Sequence, residues 1–284
     1  MDSDHYIHMI DPVLVELWGP VAIRWYGLSY VAAFLAGFLL LHRWSKAGWY
    51  RVPAGELQSL IFYGVIGVML GGRLGYVLFY DFAQWREEPL LIFQVWRGGM
   101  SSHGGMLGLT LAMYVFARQR TIPLLHMMDG LACAAPIGIF FGRCANFING
   151  ELWGRATTVS WGVIFPQEVG LFPPQPGLRA EALRLYEAGY LQARHPSQLY
   201  AAFVEGLLLF AVMLVLRRSA WASKADGHLC VAFLLLYAAG RFTVEFFREP
   251  EIMYFGWLTQ GQLLSLLMVV AAVPVWRWAQ SVAR

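Results

Sequence analysis

Apolar residues along this chain gather into seven long runs separated by short polar connections, not into the short stripes of a water-soluble fold. The runs cover Val21–Leu41, Leu57–Phe79, Met100–Ala117, Leu124–Asn146, Ser197–Leu216, His228–Phe247 and Gln260–Trp276. Each is long enough for a helix to cross the ~30 Å hydrocarbon core of a bilayer. Backbone amides find no water there, so helix is the expected form. Glycines and polar groups interrupt the third and fourth runs. The four-residue spacings Gly67, Gly71, Gly75, then Gly104, Gly108, then Gly138, Gly142 predict backbone-to-backbone packing of the second, third and fourth helices. Gly104 and Gly105, beside His103, also allow a bend at the start of the third.

Composition sharpens this into an all-α polytopic integral membrane protein. Of 284 residues, 58% are hydrophobic and only 14% charged. No charged or Pro/Ser-rich linker divides the chain, so one integral membrane domain over residues 1–284 is expected. Residues 1–18 are polar and acidic, and predict no cleavable signal peptide. Cys133, Cys144 and Cys230 lie inside apolar runs without zinc-ligand or disulfide spacing, and read as small core residues.

The net charge of +3 is too small and scattered to imply nucleic acid, but its distribution orients the chain. Alternate connections hold Arg43, Lys46 and Arg51, then Arg118 and Arg120, then Arg217, Arg218 and Lys224, then Arg277 and Arg284. The intervening set is acidic, with Asp2, Asp4, Asp11 and Glu16, then Asp81, Glu87 and Glu88, then Glu249 and Glu251. The positive-inside rule places the N-terminus outside and the C-terminus in the cytoplasm, as seven spans require. All twelve tryptophans fall at run ends or in connections, where amphipathic rings favour the interface. One connection, about 149–196, is far longer than the rest and lies on the non-cytoplasmic side. It carries Pro166, Pro173, Pro174 and Pro176 and a polar helix-like run near Arg179–Gly189, and predicts a small external head.

Arginine inside hydrocarbon costs at least ~2.5 kcal/mol on insertion scales. Counting ~1.5 Å per helical residue puts Arg73 ~24 Å, Arg143 ~28 Å and Arg241 ~20 Å across from the cytoplasmic side. Tyr26 and His103 sit a few residues inside the outer ends of the first and third runs. The polar groups therefore cluster in the outer half of the membrane. Tyr237, Arg241 and Glu245 recur at i, i+4 and i+8, with Arg248 at i+11, on one helix face. Arg143, Asn146 and Gly150 share a face if their helix extends that far. Two arginine forks suit one phosphate group, and with a histidine nearby they suggest chemistry on an outer-leaflet phospholipid. The alternative for Arg241 and Glu245 is a structural tie between helices. His103 fits a general base near neutrality or, equally, a cap on its helix. His126 and Asp129 lack a third metal ligand nearby, and no metal is expected. Ser101 and Ser102 lack the Gly-x-Ser-x-Gly elbow of a serine hydrolase.

Four stretches carry a resemblance across almost the whole chain: His103-Gly104-Gly105-Met106, Gly142 to Gly154, Arg194 to Tyr200, and Arg241-x-x-x-Glu245-Phe246-x-Arg248. With Trp25-Tyr26-Gly27 and Gly71-Gly72-Arg73-x-Gly75-Tyr76, they resemble the bacterial phosphatidylglycerol–prolipoprotein diacylglyceryl transferases in order and spacing. The resemblance implies an inner-membrane enzyme whose active site faces the outer leaflet and whose head is periplasmic. It implies transfer of diacylglyceryl from phosphatidylglycerol to the lipobox cysteine of a preprolipoprotein signal peptide, releasing glycerol phosphate, without a cofactor. It maps phosphate binding onto Arg143 and Arg241, the candidate base onto His103, and other catalytic positions onto Tyr26, Asn146, Glu151, Gly154, Tyr237 and Glu245. Arg73, Asn146 and His195 join the two arginines as candidate lipid contacts. One departure is Ala201, where family members often carry an acid. Two further readings stand beside this one. An anionic-lipid transporter or flippase would line an outer-leaflet cavity with the same arginines, but calls for polar residues across both leaflets. An intramembrane serine protease lacks its nucleophile motif.

Overall fold

The computed structural model describes residues 5–18, 21–94, 99–250 and 252–282, apart from the side chains of Ser102 and His103. The helices are α1 (Trp25–Lys46), α2 (Leu57–Phe79), α3 (Phe82–Glu87), α4 (Ser102–Gln119), α5 (Leu124–Ile148), α6 (Leu178–Glu187), α7 (Ser197–Ala201), α8 (Leu209–Leu216), α9 (His228–Val244) and α10 (Gln260–Val282). A π-helical segment, Ala202–Leu208, joins α7 to α8 into one continuous run. Among the described residues, five helical runs are long and apolar enough to cross a membrane: Trp25–Lys46, Ala54–Phe79, Leu124–Ile148, Ser197–Leu216 and Gln260–Val282. The sixth expected span, α9, is apolar but has only 17 residues. The third corresponds to the 18-residue α4.

The all-helical expectation misses short strands. β2 (Val13–Trp18) pairs antiparallel with β3 (Val21–Arg24), so the first helix opens at Trp25 rather than at Val21. Four residues of apolar run are too few to separate strand from helix by periodicity. A second hairpin, β6 (Met253–Tyr254) with β7 (Leu258–Thr259), leads into α10.

The chain divides into two compact units, Phe38–Gly130 and Met1–Gly37 with Leu131–Arg284. In the first, α2 and α4 pack backbone to backbone, as their glycine spacing predicts. A methyl group on Gly71 would stand 2.3 Å from the Gly104 carbonyl oxygen, and one on Gly108 2.0 Å from that of Gly67. Ser101 caps α4, accepting a hydrogen bond from the Gly104 amide at 3.2 Å. Near the other end of these helices Tyr50 is buried, donates to the Met127 carbonyl at 3.1 Å and packs on Gly130.

In the second unit, the 149–196 connection builds a small module around a three-stranded sheet. Its middle strand β4 (Val163–Ile164) pairs antiparallel with β5 (Ala193–Arg194) and parallel with β1 (Tyr6–Ile7). Ile7, Ile164, Ala182, Leu191 and Ala193 form its apolar centre under α6, which matches the polar helix-like run of the sequence. The N-terminal strand is an unforeseen partner, since two residues carry no readable alternation.

Candidate active site

Helix α5 ends at Ile148, and Gly150 follows with φ +63°, so Gly150 is not on the Arg143–Asn146 face. The loop that starts there is laced back onto the chain. Asn146 Nδ2 donates to Glu151 Oε1 at 2.8 Å, and the Glu151 amide donates to the Asn146 carbonyl at 3.0 Å. Gln198 Nε2 donates to the Glu151 carbonyl at 2.7 Å and Ser197 Oγ to that of Leu152 at 3.1 Å. Asn146 and Glu151 thus shape the loop as a pair.

Gly154 fills the next position without a side chain. Its amide donates to the His195 carbonyl at 2.9 Å, and it bridges to Arg248 on the opposite side. Arg194 Nη1 donates to the Gly154 carbonyl at 3.2 Å and pairs with Glu249 at 3.1 Å, while its Nη2 pairs with Glu168. His195 packs edge-on against Phe247 and shares a hydrogen bond of 3.1 Å between Nδ1 and the Tyr200 hydroxyl. Burial holds its imidazole below the ordinary histidine range.

The arginines meet over a residue that the sequence pattern does not single out. Glu205 lies in the π-helical segment and is fully buried. Arg143 donates to Glu205 Oε2 through Nη2 at 3.0 Å and through Nε at 3.3 Å. Arg241 Nη1 stands 3.7 Å from Glu205 Oε1, an ion pair beyond hydrogen-bond reach, and neither of those two atoms has a hydrogen-bond partner. Arg241 Nη2 pairs with Glu245 Oε2 at 2.6 Å, the i, i+4 pair expected on α9. Tyr237, one turn earlier, has its hydroxyl beside Arg143 and Glu205. Tyr26 stands near enough to Arg143 and Glu151 to feel both charges, and its hydroxyl lies 3.2 Å from that of Tyr30.

Small residues make the arrangement possible. A methyl group on Gly206 would fall 2.7 Å from Phe140 Cβ, so the π-helical segment touches α5 one turn before Arg143. A methyl group on Gly261 would fall 2.5 Å from the Glu245 carboxylate, so the start of α10 leaves that side chain its space. The sequence did hold a signal for Glu205: it is the one acid between residues 197 and 216. An ionisable residue inside an apolar span is a functional-site candidate by default.

Arg73 and His103 belong to the other unit. Arg73 is buried and its donors close the loop ahead of α4: Nε bonds the Ile92 carbonyl at 3.2 Å, Nη1 that of Gly99 at 3.1 Å and Nη2 that of Leu91. The backbone of His103 lies in the first turn of α4; its side chain is outside the described residues. Among the described residues, no group of three or more His, Cys, Asp or Glu side chains could hold a metal ion.

The chain has counterparts among known proteins along nearly its whole length. The family model for prolipoprotein diacylglyceryl transferase matches residues 12–278. The chain belongs to the prolipoprotein diacylglyceryl transferase family. A phosphatidylglycerol–prolipoprotein diacylglyceryl transferase of Allorhizobium ampelinum is 45% identical over 94% of this chain and 90% of its own length. Relatives of the same name from Xanthomonas axonopodis pv. citri and Xylella fastidiosa are 43% and 44% identical, over 94% and 93% of this chain and 90% and 91% of their own lengths. Within this transferase family member the structure gathers Arg143, Arg241, Tyr237 and Glu245 about Glu205, ties Asn146 to Glu151 in the loop that follows α5, sets Tyr26 within reach of the charges of Arg143 and Glu151, and bonds Gly154 to His195 further along that connection.

Proposed function

We propose that this protein transfers the diacylglyceryl group of phosphatidylglycerol to the cysteine thiol of a lipobox in a preprolipoprotein signal peptide. The thiolate sulfur attacks the glycerol carbon that bears the phosphate. A C–S bond forms, the C–O bond breaks, and its electron pair leaves with glycerol phosphate. A thiol of pKa ~8.5 is mostly protonated near neutrality, so a base or a positive field must supply the thiolate. The proton passes to that base or to the departing phosphate.

The observation that carries this reading is the pair of guanidinium forks from α5 and α9 converging in a chain that matches the family over nearly its full length. Arg143 and Arg241 are assigned to the lipid phosphate, where fixed donors stabilise the charge developing on the leaving oxygens. Tyr237, Glu245 and Glu205 hold those forks. Asn146, Glu151, Gly154 and His195 shape the loop beside them, and Tyr26 is a candidate contact to the reacting lipid. The family resemblance supports His103 as base, with His103→Asn as its test. The carbonyl contacts of Arg73 support a structural tie for that residue. Helices α4 and α9 are inferred to complete seven spans in the bacterial inner membrane, with a periplasmic N-terminus and head and the site facing the outer leaflet.

The decisive assay incubates purified protein with phosphatidylglycerol vesicles and a lipobox peptide and weighs the peptide. A diacylglyceryl mass gain is expected; a cleaved peptide would point to a protease, and an unchanged one would leave only lipid transport. Arg143→Ala and Arg241→Ala should each lower transfer at least ~100-fold, the usual effect of losing one such contact. Wild-type turnover in either variant would remove the clamp.

A further inference from the structure

The phosphate clamp described above is already occupied by a carboxylate. Glu205 is fully buried, reaches from a third element between Arg143 and Arg241, and spans the two forks with its two oxygens. It gets there through a π-helical segment, a rare winding that is frequent at functional sites. Its bond to Arg143 is complete, whereas its Oε1 faces Arg241 Nη1 at 3.7 Å with neither atom hydrogen-bonded. A purely structural tie would close that gap. A site that must open toward a second anion leaves it.

The charges facing Glu205 come from two elements: Arg143 on α5, and Arg241 and Glu245 on α9, with the Tyr237 hydroxyl beside them. Two cations meet two carboxylates, so the resting cluster is neutral. A phosphodiester lipid makes it singly negative, and C–O cleavage to a phosphate monoester adds up to one further negative charge. Arginines matched by carboxylates therefore hold phosphate less tightly than two bare arginines would, most of all after transfer.

We propose that Glu205 is the internal rival of the lipid phosphate: it positions Arg143 and Arg241 while the site is empty, and its charge keeps the glycerol phosphate product from being held. This inference rests on the transferase reading, and it concerns a residue that positions the clamp rather than one that takes part in bond breaking.

The test compares wild type with Glu205→Gln and Glu205→Asp, using phosphatidylglycerol, a lipobox peptide and added glycerol phosphate. The amide keeps the size and an acceptor oxygen but removes the charge. Glu205→Gln should lower KM for phosphatidylglycerol and lower kcat together, because product leaves slowly. Its inhibition by glycerol phosphate should strengthen by about tenfold, well within the effect of one charge removed at ~4 Å and an effective dielectric near ~20. Aspartate retains the charge but withdraws it by one methylene, so its product inhibition should fall between the two. A structural role alone would lower thermal stability without moving KM against kcat. Folded Glu205→Gln with unchanged or weaker product inhibition overturns the proposal, as does loss of the fold in both variants. If only Glu205→Gln fails to fold, a Glu205→Asp product affinity no tighter than wild type overturns it. Wild-type protein that neither transfers nor responds to glycerol phosphate would instead sink the transferase reading itself.

Discussion

At Gly154 a methyl group would lie 2.4 Å from the Phe247 carbonyl oxygen and 2.6 Å from that of His195. Both neighbours are backbone, and the Gly154 amide and carbonyl are tied to His195 and Arg194, so nothing there can yield cheaply. Gly154→Ala should therefore displace the loop after α5 and cut transfer by more than about tenfold, at an overpacking cost of about 1–3 kcal/mol. Activity and melting temperature measured on one preparation check this, and a fully active variant would show that the loop does not serve the site. The family motif marks Gly154 in the sequence, but its reason is invisible there, because both obstructing carbonyls come from segments more than forty residues away. Glu205 is the reverse case. Its signal stood in the sequence as a lone acid in an apolar span, while its meaning needed the partners from α5 and α9.

Helices whose ends coincide with a sharp change in polarity were legible from the pattern. The expected Leu57–Phe79 and Ser197–Leu216 runs match the structure at both ends, and Gln260 opens α10 as expected. What hydropathy could not show is the winding inside a run. The Ala202–Leu208 segment is as apolar as an α-helix, yet its π winding sets where Glu205 points. Its seat on α5 depends on Gly206, so Gly206→Ala should push it away from Phe140 and lengthen the Arg143–Glu205 bond. The expected result is a several-degree fall in melting temperature and lower kcat/KM, consistent with about 1–3 kcal/mol of overpacking; equal stability and rate would show that the segment has slack.

The β1–β4–β5 module carries the pH dependence. His8 is fully buried, and Gln167 Nε2 lies 3.0 Å from its Nδ1. Desolvation pushes its pKa below the ordinary value of about 6.5, outweighing backbone hydrogen bonds that act the other way. The folded module then binds fewer protons than the unfolded chain between those two values, so its stability rises with pH there. The contribution is fully present above about pH 6.5 and is lost as pH falls through the lowered folded value. Limited proteolysis of the head, scanned downward from pH 7, should speed up over that window. His8→Gln should flatten the curve, and an unchanged profile would remove His8 as its cause.

Among the described residues, five helical runs satisfy the bilayer by length and apolarity, and two further helices are needed to reach seven. Helix α9 covers about 25 Å at ~1.5 Å per residue, and the turn residues Glu245–Phe247 add the remaining reach. Helix α4 is the more demanding case, because Ser102, His103 and two glycines open it and Arg118 and Gln119 close it, so its large apolar side chains are confined to Met106–Phe116. Close packing of small residues is itself a reason for a helix of modest hydropathy to lie in lipid, since van der Waals contact replaces burial as the driving force. If α4 crosses, Ala83 and Ser160 stand on the same side of the membrane and Ser223 on the other; if it does not, Ala83 and Ser160 part. All three positions are exposed, and the native Cys133, Cys144 and Cys230 can be replaced with alanine for labelling. Single cysteines at 83 and 160 should react with an impermeant maleimide in intact spheroplasts, and one at 223 only after lysis. Labelling at 83 and 223 without 160 would remove α4 from the membrane, and labelling at 223 with both 83 and 160 protected in intact cells would reverse the orientation that the basic connections imply.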